Sequence, residues 1–268
     1  MNNIKLILIY ISANLKSQLE YKVTFFVNIF IVIIDYGGEL LAITFLLKKF
    51  NSIDGWTVYE IMFLYSLNLL SYGISGFVLR NPFRSLERMV QDGSYDSILI
   101  RPMNPLLHLI CREFQYLFFG HVILCGIVFA LCLSKLSIVW TVTKVIYFII
   151  TLFSAIMIQG ALMIIGGSLS FWIVKSQGIN DVFVHGMRDF ANYPITIYSK
   201  WIQLLFTFGL PYAFVNYYPA QHLFSKSGGG ALFQPIFQYG APFVGLIMII
   251  IAKVVYTAGI NRYQSTGS

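Results

Sequence analysis

Long apolar runs are the feature that most constrains this chain. Six segments of at least 20 residues consist mainly of Phe, Ile, Leu, Val, Tyr and Gly. About 20 apolar residues are needed for a helix to cross a bilayer, and backbone groups in lipid must be satisfied within the segment. Barrel strands would instead appear as short alternating segments. The sequence therefore predicts an all-α, polytopic membrane protein with six transmembrane helices. The predicted spans are 23–47, 57–79, 113–133, 142–174, 200–220 and 239–260.

The composition excludes a soluble domain. Only 11% of the 268 residues are charged, against about 25% in soluble domains. The polar segments between the spans are too short to fold as domains of their own. Residues 1–268 are therefore interpreted as one transmembrane domain. The net charge of +7 lies in loops rather than on a polar domain, so we expect no nucleic-acid partner.

The first 22 residues are interpreted as an amphipathic helix on the membrane surface. Leu8, Ile11, Leu15 and Leu19 follow helical spacing, and charged residues stand where a signal-peptide cleavage site would lie. Residues 1–22 therefore form a predicted interfacial helix.

The distribution of Lys and Arg predicts the orientation. With six spans, the side that holds both termini carries twelve of these residues, Arg188 and Lys200 among them, against five on the other side. Since Lys and Arg resist translocation, both termini are predicted in the cytoplasm of a multi-pass cell-membrane protein. The Gly-rich loop 225–238 is then extracytoplasmic.

The loop 80–105, "RNPFRSLERMVQDGSYDSILIRPMNP", interrupts the apolar pattern. Asn81 followed by Pro82 is typical of a helix start, and Asp92–Gly93 is a stop signal. The pattern predicts a short amphipathic helix over 82–92 along the membrane surface. From the residues alone, it either joins two spans or docks a cytoplasmic partner.

Three stretches carry a family resemblance. They are "RMVQDGSYDSILIRPMNPL", "NYPITIYSKWIQLLFTFGLPYAFVNYYPAQHL" and the terminal "NRYQSTGS". In this order and with this spacing, they resemble permease subunits of bacterial type-2 ABC (ABC-2) exporters, in a short six-span branch of that family.

The resemblance implies a function in ATP-driven export. The interfacial helix would be a connecting helix, and 80–105 would contain a coupling helix that contacts a separate ABC ATP-binding subunit. The candidate contact or supporting residues are Arg84, Glu87, Arg88, Asp92, Gly93, Asp96, Arg101 and Pro102.

The resemblance also implies which subunits the transporter needs. The chain contains no GxxxxGK[ST] phosphate-binding loop. It is therefore expected to be non-catalytic and to bind no cofactor, with ATP and Mg²⁺ held by the partner. A second permease subunit, itself or a related chain, would complete the transporter. The aromatic-rich spans favour a hydrophobic or amphipathic substrate such as a lipid, peptide or drug-like molecule.

Asp35 and Glu39 form an intramembrane polar pair, one helical turn apart in the first span. Charged groups at this depth are costly and functional in many membrane proteins. One reading is the ion site of a self-sufficient secondary transporter or channel. The other is a structural pair at a close helix contact permitted by Gly37 and Gly38.

Prolines, glycines and a second polar stretch complete the pattern. Pro211 and Pro219 predict a break in the fifth span. Gly160, Gly166 and Gly167 predict close packing of the fourth. Residues 173–201 are interpreted as a second cytoplasmic stretch, either a surface helix or a solvated linker.

Overall fold

The computed structural model of the chain describes Ser12, Lys16, Glu20 and residues 22–50, 52–113, 119–136, 138–226 and 235–264, with the side chains of 46–50 excepted. The predicted interfacial helix 1–22 lies outside the described residues apart from Ser12, Lys16, Glu20 and Lys22, all of which are helical. Most of the predicted Gly-rich loop 225–238 also lies outside them.

The described chain is mainly helical, as its apolar pattern predicts. Its helices are α1 (Lys22–Phe50), α2 (Val58–Gln91), α3 (Asp96–Leu99), α4 (Pro105–Arg112), α5 (Phe119–Lys135), α6 (Val142–Ser168), α7 (Gln177–Asp181), α8 (Met187–Phe190), α9 (Lys200–Leu204), α10 (Tyr217–Leu223) and α11 (Ala241–Arg262). Turns of 3-10 helix lie at Leu169–Phe171, Ile195–Ile197, Tyr212–Phe214 and Ile236–Tyr239, and turns of π-helix lie at Val182–Gly186 and Leu205–Gly209.

A small hairpin joins α1 to α2. Strands β1 (Ser52–Ile53) and β2 (Trp56–Thr57) pair antiparallel, with Ser52 opposite Thr57. Asp54 and Gly55 both have positive φ, at 50° and 76°, as the tight turn of a two-residue hairpin requires.

Four helices are long and apolar enough to cross a membrane: α1, α2, α11, and α6 together with its 3-10 extension. Helix α5 is apolar but shorter, with 17 residues. The region predicted as the fifth span, 200–220, is not one helix, because α9, two non-α turns and α10 share it.

Helix α2 is the centre of the bundle. Inside its most apolar window 78% of the residues are buried, against 11% in α1. Helices α6 and α2 run in the same direction, since Gly160 approaches Ser75 and Leu79 while Gly167 approaches Phe83. Helix α11 follows α6 in the same sense, with Gly245 against Ser154.

The glycines of α6 allow these close contacts. A Cβ added at Gly167 would lie 2.5 Å from the Cβ and the carbonyl oxygen of Phe83. The predicted close packing at Gly160, Gly166 and Gly167 is therefore confirmed. A Cβ at Gly37 or Gly38 would meet nothing within 4 Å, so the close helix contact expected there is not formed within the described residues.

The three cysteines are buried small side chains. Among the described residues, Cys111, Cys125 and Cys132 form no disulfide.

We predict that Gly167→Ala destabilises the protein by about 1–3 kcal/mol, because the added methyl group forces α6 away from the α2 backbone. Thermal unfolding of the detergent-solubilised chain measures this change. Gly126→Ala is the matched control, since a Cβ there meets nothing within 4 Å. Equal melting temperatures for the two variants would contradict the packing argument.

Candidate functional site: the arginine-rich end and the broken segment

The arginine-rich end, defined by the exposed Arg84, Arg88, Arg101 and Arg112, is built on the far end of α2. Helix α2 has 34 residues and is therefore about 51 Å long, well beyond the roughly 30 Å hydrocarbon thickness of a bilayer. Its last turns carry the exposed Arg84 and Arg88 on one side and the buried Phe83, Leu86 and Met89 on the other.

The predicted separate helix over 82–92 is wrong in its start, because α2 continues through Pro82 without ending. Pro82 and Phe83 are buried, and this packing offsets the backbone hydrogen bond that proline removes. Asn81 does not cap a helix; its Nδ2 donates to the carbonyl oxygen of Glu113 at 3.0 Å and to Glu113 Oε2 at 3.1 Å.

The end of this helix lies where the sequence predicts it. Helix α2 stops at Gln91, and Gly93 has a φ of 72°, which only glycine adopts without strain. Asp92 Oδ1 accepts from the Ser94 backbone N–H at 2.9 Å. Side-chain and backbone hydrogen bonds from Ser94 lower the pKa of Asp92 below its ordinary value.

A cluster of aromatic rings anchors the turn that follows. Tyr95 is fully buried, its hydroxyl lies 3.0 Å from that of Tyr256 in α11, and its ring packs against Phe171 at 5.3 Å. Phe83 of α2 packs on Tyr256 at 5.7 Å. This aromatic cluster (Phe83, Tyr95, Phe171, Tyr256) therefore ties the arginine-rich end to α6 and α11.

The predicted contact residues divide by exposure. Arg84, Arg88, Asp92, Arg101 and Pro102 are exposed, whereas Glu87, Gly93 and Asp96 are half-buried.

Glu87 is bound within the chain. Its Oε2 accepts from the Ser176 hydroxyl at 3.1 Å and from the backbone N–H of Gln177, the first residue of α7. Its Oε1 accepts from Gln91 Nε2 at 3.1 Å. Glu87 therefore joins α2 to the start of α7. It stabilises the part of α2 that carries the exposed Arg84 and Arg88.

Residues 177–226, the broken segment, contact α2 in the opposite order along the chain, and they double back on themselves in between, since the Tyr212 hydroxyl donates to the carbonyl oxygens of Phe183 and Val184 at 3.2 Å. Their polar contacts with α2 follow in order from Glu87 to Glu60, a distance of about 40 Å along the helix. The pairs are Gln177 N with Glu87 Oε2, Asp181 with Arg80 (3.7 Å), His185 Nδ1 with Tyr72 Oη (3.3 Å), Asn192 Oδ1 with Asn68 Nδ2 (2.7 Å), Asn216 Nδ2 with the Leu64 carbonyl oxygen (3.2 Å) and Lys226 Nζ with Glu60 Oε2 (2.8 Å).

The predicted reading of 173–201 as a solvated linker is wrong for its second half. Arg188 is only 4% exposed, its guanidinium carbon lies 4.2 Å from the centre of the Tyr72 ring, and its Nη2 lies 2.6 Å from Asp189 Oδ1. Arg188 was expected in a cytoplasmic loop because the charges around it are typical of one. Arg188 instead packs against Tyr72 of α2, while Asp189 and Lys200 are exposed.

A polar network at the middle of the bundle holds the broken segment. Asn68 Nδ2 also donates to the Arg188 carbonyl oxygen at 3.1 Å, and Asn68 Oδ1 accepts from Gln159 Nε2 of α6 at 2.8 Å. Asn192 Nδ2 donates to Glu39 Oε1 of α1 at 2.9 Å. Asn68 thus connects α2, α6 and the broken segment, and Asn192 adds α1.

Asp35 and Glu39 differ in their surroundings. Glu39 accepts hydrogen bonds from Asn192 and from the Tyr65 hydroxyl, the latter at 3.1 Å. Asp35 is exposed on the outside of α1. The geometry of Glu39 is that of a hydrogen-bonded structural carboxylate.

The two prolines of the broken segment have different places. Pro211 follows the π-helical turn Leu205–Gly209 and precedes the 3-10 turn Tyr212–Phe214. Pro219 lies in the first turn of α10, where its missing N–H has no helical partner to lose. All residues from 211 to 221 are buried.

Sequence reasoning missed the polar residues that organise this site. Asn68 and Gln159 stand inside apolar spans, and Asn192 and Asn216 lie beside proline-rich stretches. Amides within apolar runs were the available signal, since such side chains need partners in lipid. Among the described residues, no group of three or more His, Cys, Asp or Glu side chains is placed to hold a metal ion.

The long apolar helices and the buried polar network define a polytopic α-helical membrane protein. Residues 33–267 match the model of the ABC-2 family transporter protein family. This match spans most of the chain, which therefore belongs to that family and is a membrane permease of an ABC-type transporter. No curated protein and no solved structure matches the chain.

We predict that Asn68→Leu lowers the free energy of unfolding by about 1–3 kcal/mol, because it leaves Gln159 Nε2, Asn192 Oδ1 and the Arg188 carbonyl oxygen buried without this partner. Denaturant or thermal unfolding in detergent measures the loss. Ser71→Ala is the control, since among the described residues the Ser71 hydroxyl bonds only to the Asn68 carbonyl oxygen in its own helix, at 2.9 Å. If Asn68→Leu is no less stable than Ser71→Ala, the network does not hold the broken segment.

Proposed function

We propose that this chain is the permease subunit of an ATP-driven ABC exporter and that a separate ATP-binding subunit docks at the arginine-rich end. The observation that carries the proposal is the exposure of Arg84 and Arg88, one turn apart near the end of α2, a helix of 34 residues that is longer than the hydrocarbon layer of a bilayer. ATP and Mg²⁺ would be bound and hydrolysed in the partner.

The proposed topology has six crossings: α1, α2, α5, α6, the broken segment and α11. The ordered contacts of the broken segment along α2 support its place as the fifth crossing, which then begins near residue 177 rather than 200. An even number of crossings leaves both termini on one side. The Lys and Arg majority, which persists at ten against five without the buried Arg188 and without Lys200, which now lies inside the fifth crossing, favours the cytoplasm for that side.

The docking surface consists mainly of exposed cations. Arg84 and Arg88 carry no ion pair among the described residues. Arg101, in the loop that follows α2, is a third exposed cation. Because Glu87 is occupied within the chain, we assign it to support rather than to contact. The complementary surface on the partner is expected to be acidic.

The aromatic cluster gives this surface a mechanical connection. Phe83 lies near the end of α2, and its contact with Tyr256 joins that end to α11. Tyr95 joins the turn after Gly93 to both α6 and α11. When two ATP-binding subunits approach each other, a displacement of the arginine-rich end would therefore move α2, α6 and α11 together.

A second permease subunit would complete the pathway. The apolar side chains Val23, Phe30, Ile34 and Leu41 of α1 are all exposed, which provides a face for another copy or a related chain. The proposed substrate is hydrophobic or amphipathic, such as a lipid, a peptide or a drug-like molecule, and it would cross at the interface between the two permeases.

We predict that the double variant Arg84→Glu, Arg88→Glu weakens co-purification with the ATP-binding subunit, because both charges that face the partner are reversed. The measurement is a pull-down of the co-expressed subunits, followed by an ATPase assay in lipid. Co-purification should fall about tenfold or more, as expected when like charges replace complementary ones at an interface.

The control is Lys135→Glu, an exposed cation at the end of α5 that lies at the opposite end of the bundle. It should leave assembly unchanged. Unaltered assembly and ATPase stimulation in the double variant would refute docking at this surface. Transport by the purified chain alone under an ion gradient would instead favour the secondary-transporter reading of Asp35 and Glu39.

A further inference from the structure

A second feature of the bundle, separate from the docking surface, is a partly enclosed cavity of about 370 Å³ between α4, α6 and α11. This volume lies within the range of small-molecule sites, about 300–1,000 Å³. The side chains that form its walls include Leu106, Ile164, Ile249, Lys253, Tyr256 and Thr257.

Lys253 is the one charged residue of this cavity. It is exposed on α11, and its neighbours Ile250, Ile251 and Val254 are exposed apolar side chains. None of the lining residues is acidic, and Lys253 makes no ion pair with any described residue. A charge on an apolar, lipid-facing surface is costly unless it reaches a polar interface or an anion.

The depth of Lys253 places its amine within reach of a lipid headgroup. It lies nine residues before Arg262, the end of α11, or about 13–14 Å along the helix. Tyr256, one turn nearer that end, reaches the buried Tyr95 of the arginine-rich end. The cavity therefore lies where the apolar side of the bundle meets its polar end.

The start of α4 forms the other wall and offers no free amides. Asn104 Oδ1 accepts from the backbone N–H groups of Leu106 and Leu107, at 3.0 and 3.5 Å, and Pro105 has none. An anion in this cavity would therefore be held by Lys253. The occupant must combine an anionic head with an apolar body.

We propose that this cavity binds one anionic glycerophospholipid. Its phosphate pairs with the Lys253 ammonium, and one acyl chain lies along Ile164 and Ile249. Basic pockets between transmembrane helices bind anionic headgroups in this way. Charge complementarity favours a lipid over a second copy of the chain, because such a copy would have to bring an acidic side chain to Lys253. The site does not depend on the proposed ATP-driven function.

The test is native mass spectrometry of the purified full-length chain in detergent, with phosphatidylglycerol or phosphatidylcholine of identical acyl chains. The wild-type chain should retain phosphatidylglycerol preferentially. Lys253→Met should retain about fivefold less phosphatidylglycerol and an unchanged amount of phosphatidylcholine, since one cation near the surface contributes a factor of about this size. Lys253→Arg, which keeps the charge, should retain the preference.

Two further variants separate the cavity from non-specific binding. Lys135→Met removes an exposed cation elsewhere and should change nothing. Thr257→Trp, at a lining position, should fill the cavity and reduce retention of both lipids. Equal phosphatidylglycerol retention by Lys253→Met and the wild-type chain would overturn the proposal. So would a lipid-independent dimer that Thr257→Trp dissociates, because it would assign the cavity to a second copy.

Discussion

The hydrogen bonds of Asn68 are the interaction on which the rest of the bundle depends. A segment that changes direction inside an apolar bundle exposes backbone groups, and each needs a partner because lipid supplies none. Asn68 provides two donor contacts, to Asn192 and to the carbonyl oxygen of Arg188, and accepts a third from Gln159. The broken segment can therefore lie against α2 without an unbroken helix. Asn216, which donates to the carbonyl oxygens of Leu64 and Ala191, does the same one turn further along α2.

Helix α2 connects this polar centre with the arginine-rich end. Its contacts with the broken segment extend from Glu60 to Glu87, and its last turns carry the exposed arginines. Ion pairs and hydrogen bonds along its length join α2 and the broken segment into one connected unit. The aromatic cluster adds α6 and α11 to that unit. A coupling mechanism in which a cytoplasmic partner moves several helices at once is physically consistent with this arrangement.

Particular residues show how far the sequence could predict the site. Asp92 and Gly93 predicted the end of α2 correctly, because a glycine with positive φ is a local requirement. Asn81 and Pro82 predicted a helix start that does not exist, because burial of Pro82 and Phe83 outweighs the local preference for a break. Arg188 and Asp189 were assigned to a loop, since nothing in their own sequence indicates that Tyr36 and Tyr72 stack on the guanidinium. Glu87 was a candidate either to contact a partner or to support the contact, and the sequence could not indicate that it accepts hydrogen bonds from Ser176 and Gln177, which are far away along the chain.

The sequence by itself determined that this chain is an α-helical membrane protein, because apolar length and composition act locally and leave no other way to satisfy the backbone in lipid. It also determined the family, through motifs whose order and spacing extend over most of the chain. Only the tertiary structure decided which polar residues lie inside the bundle and which face outward. That choice depends on pairing between residues more than 100 positions apart, such as Asn68 with Asn192 and Glu39 with Asn192, and such pairing leaves no periodic pattern in the sequence.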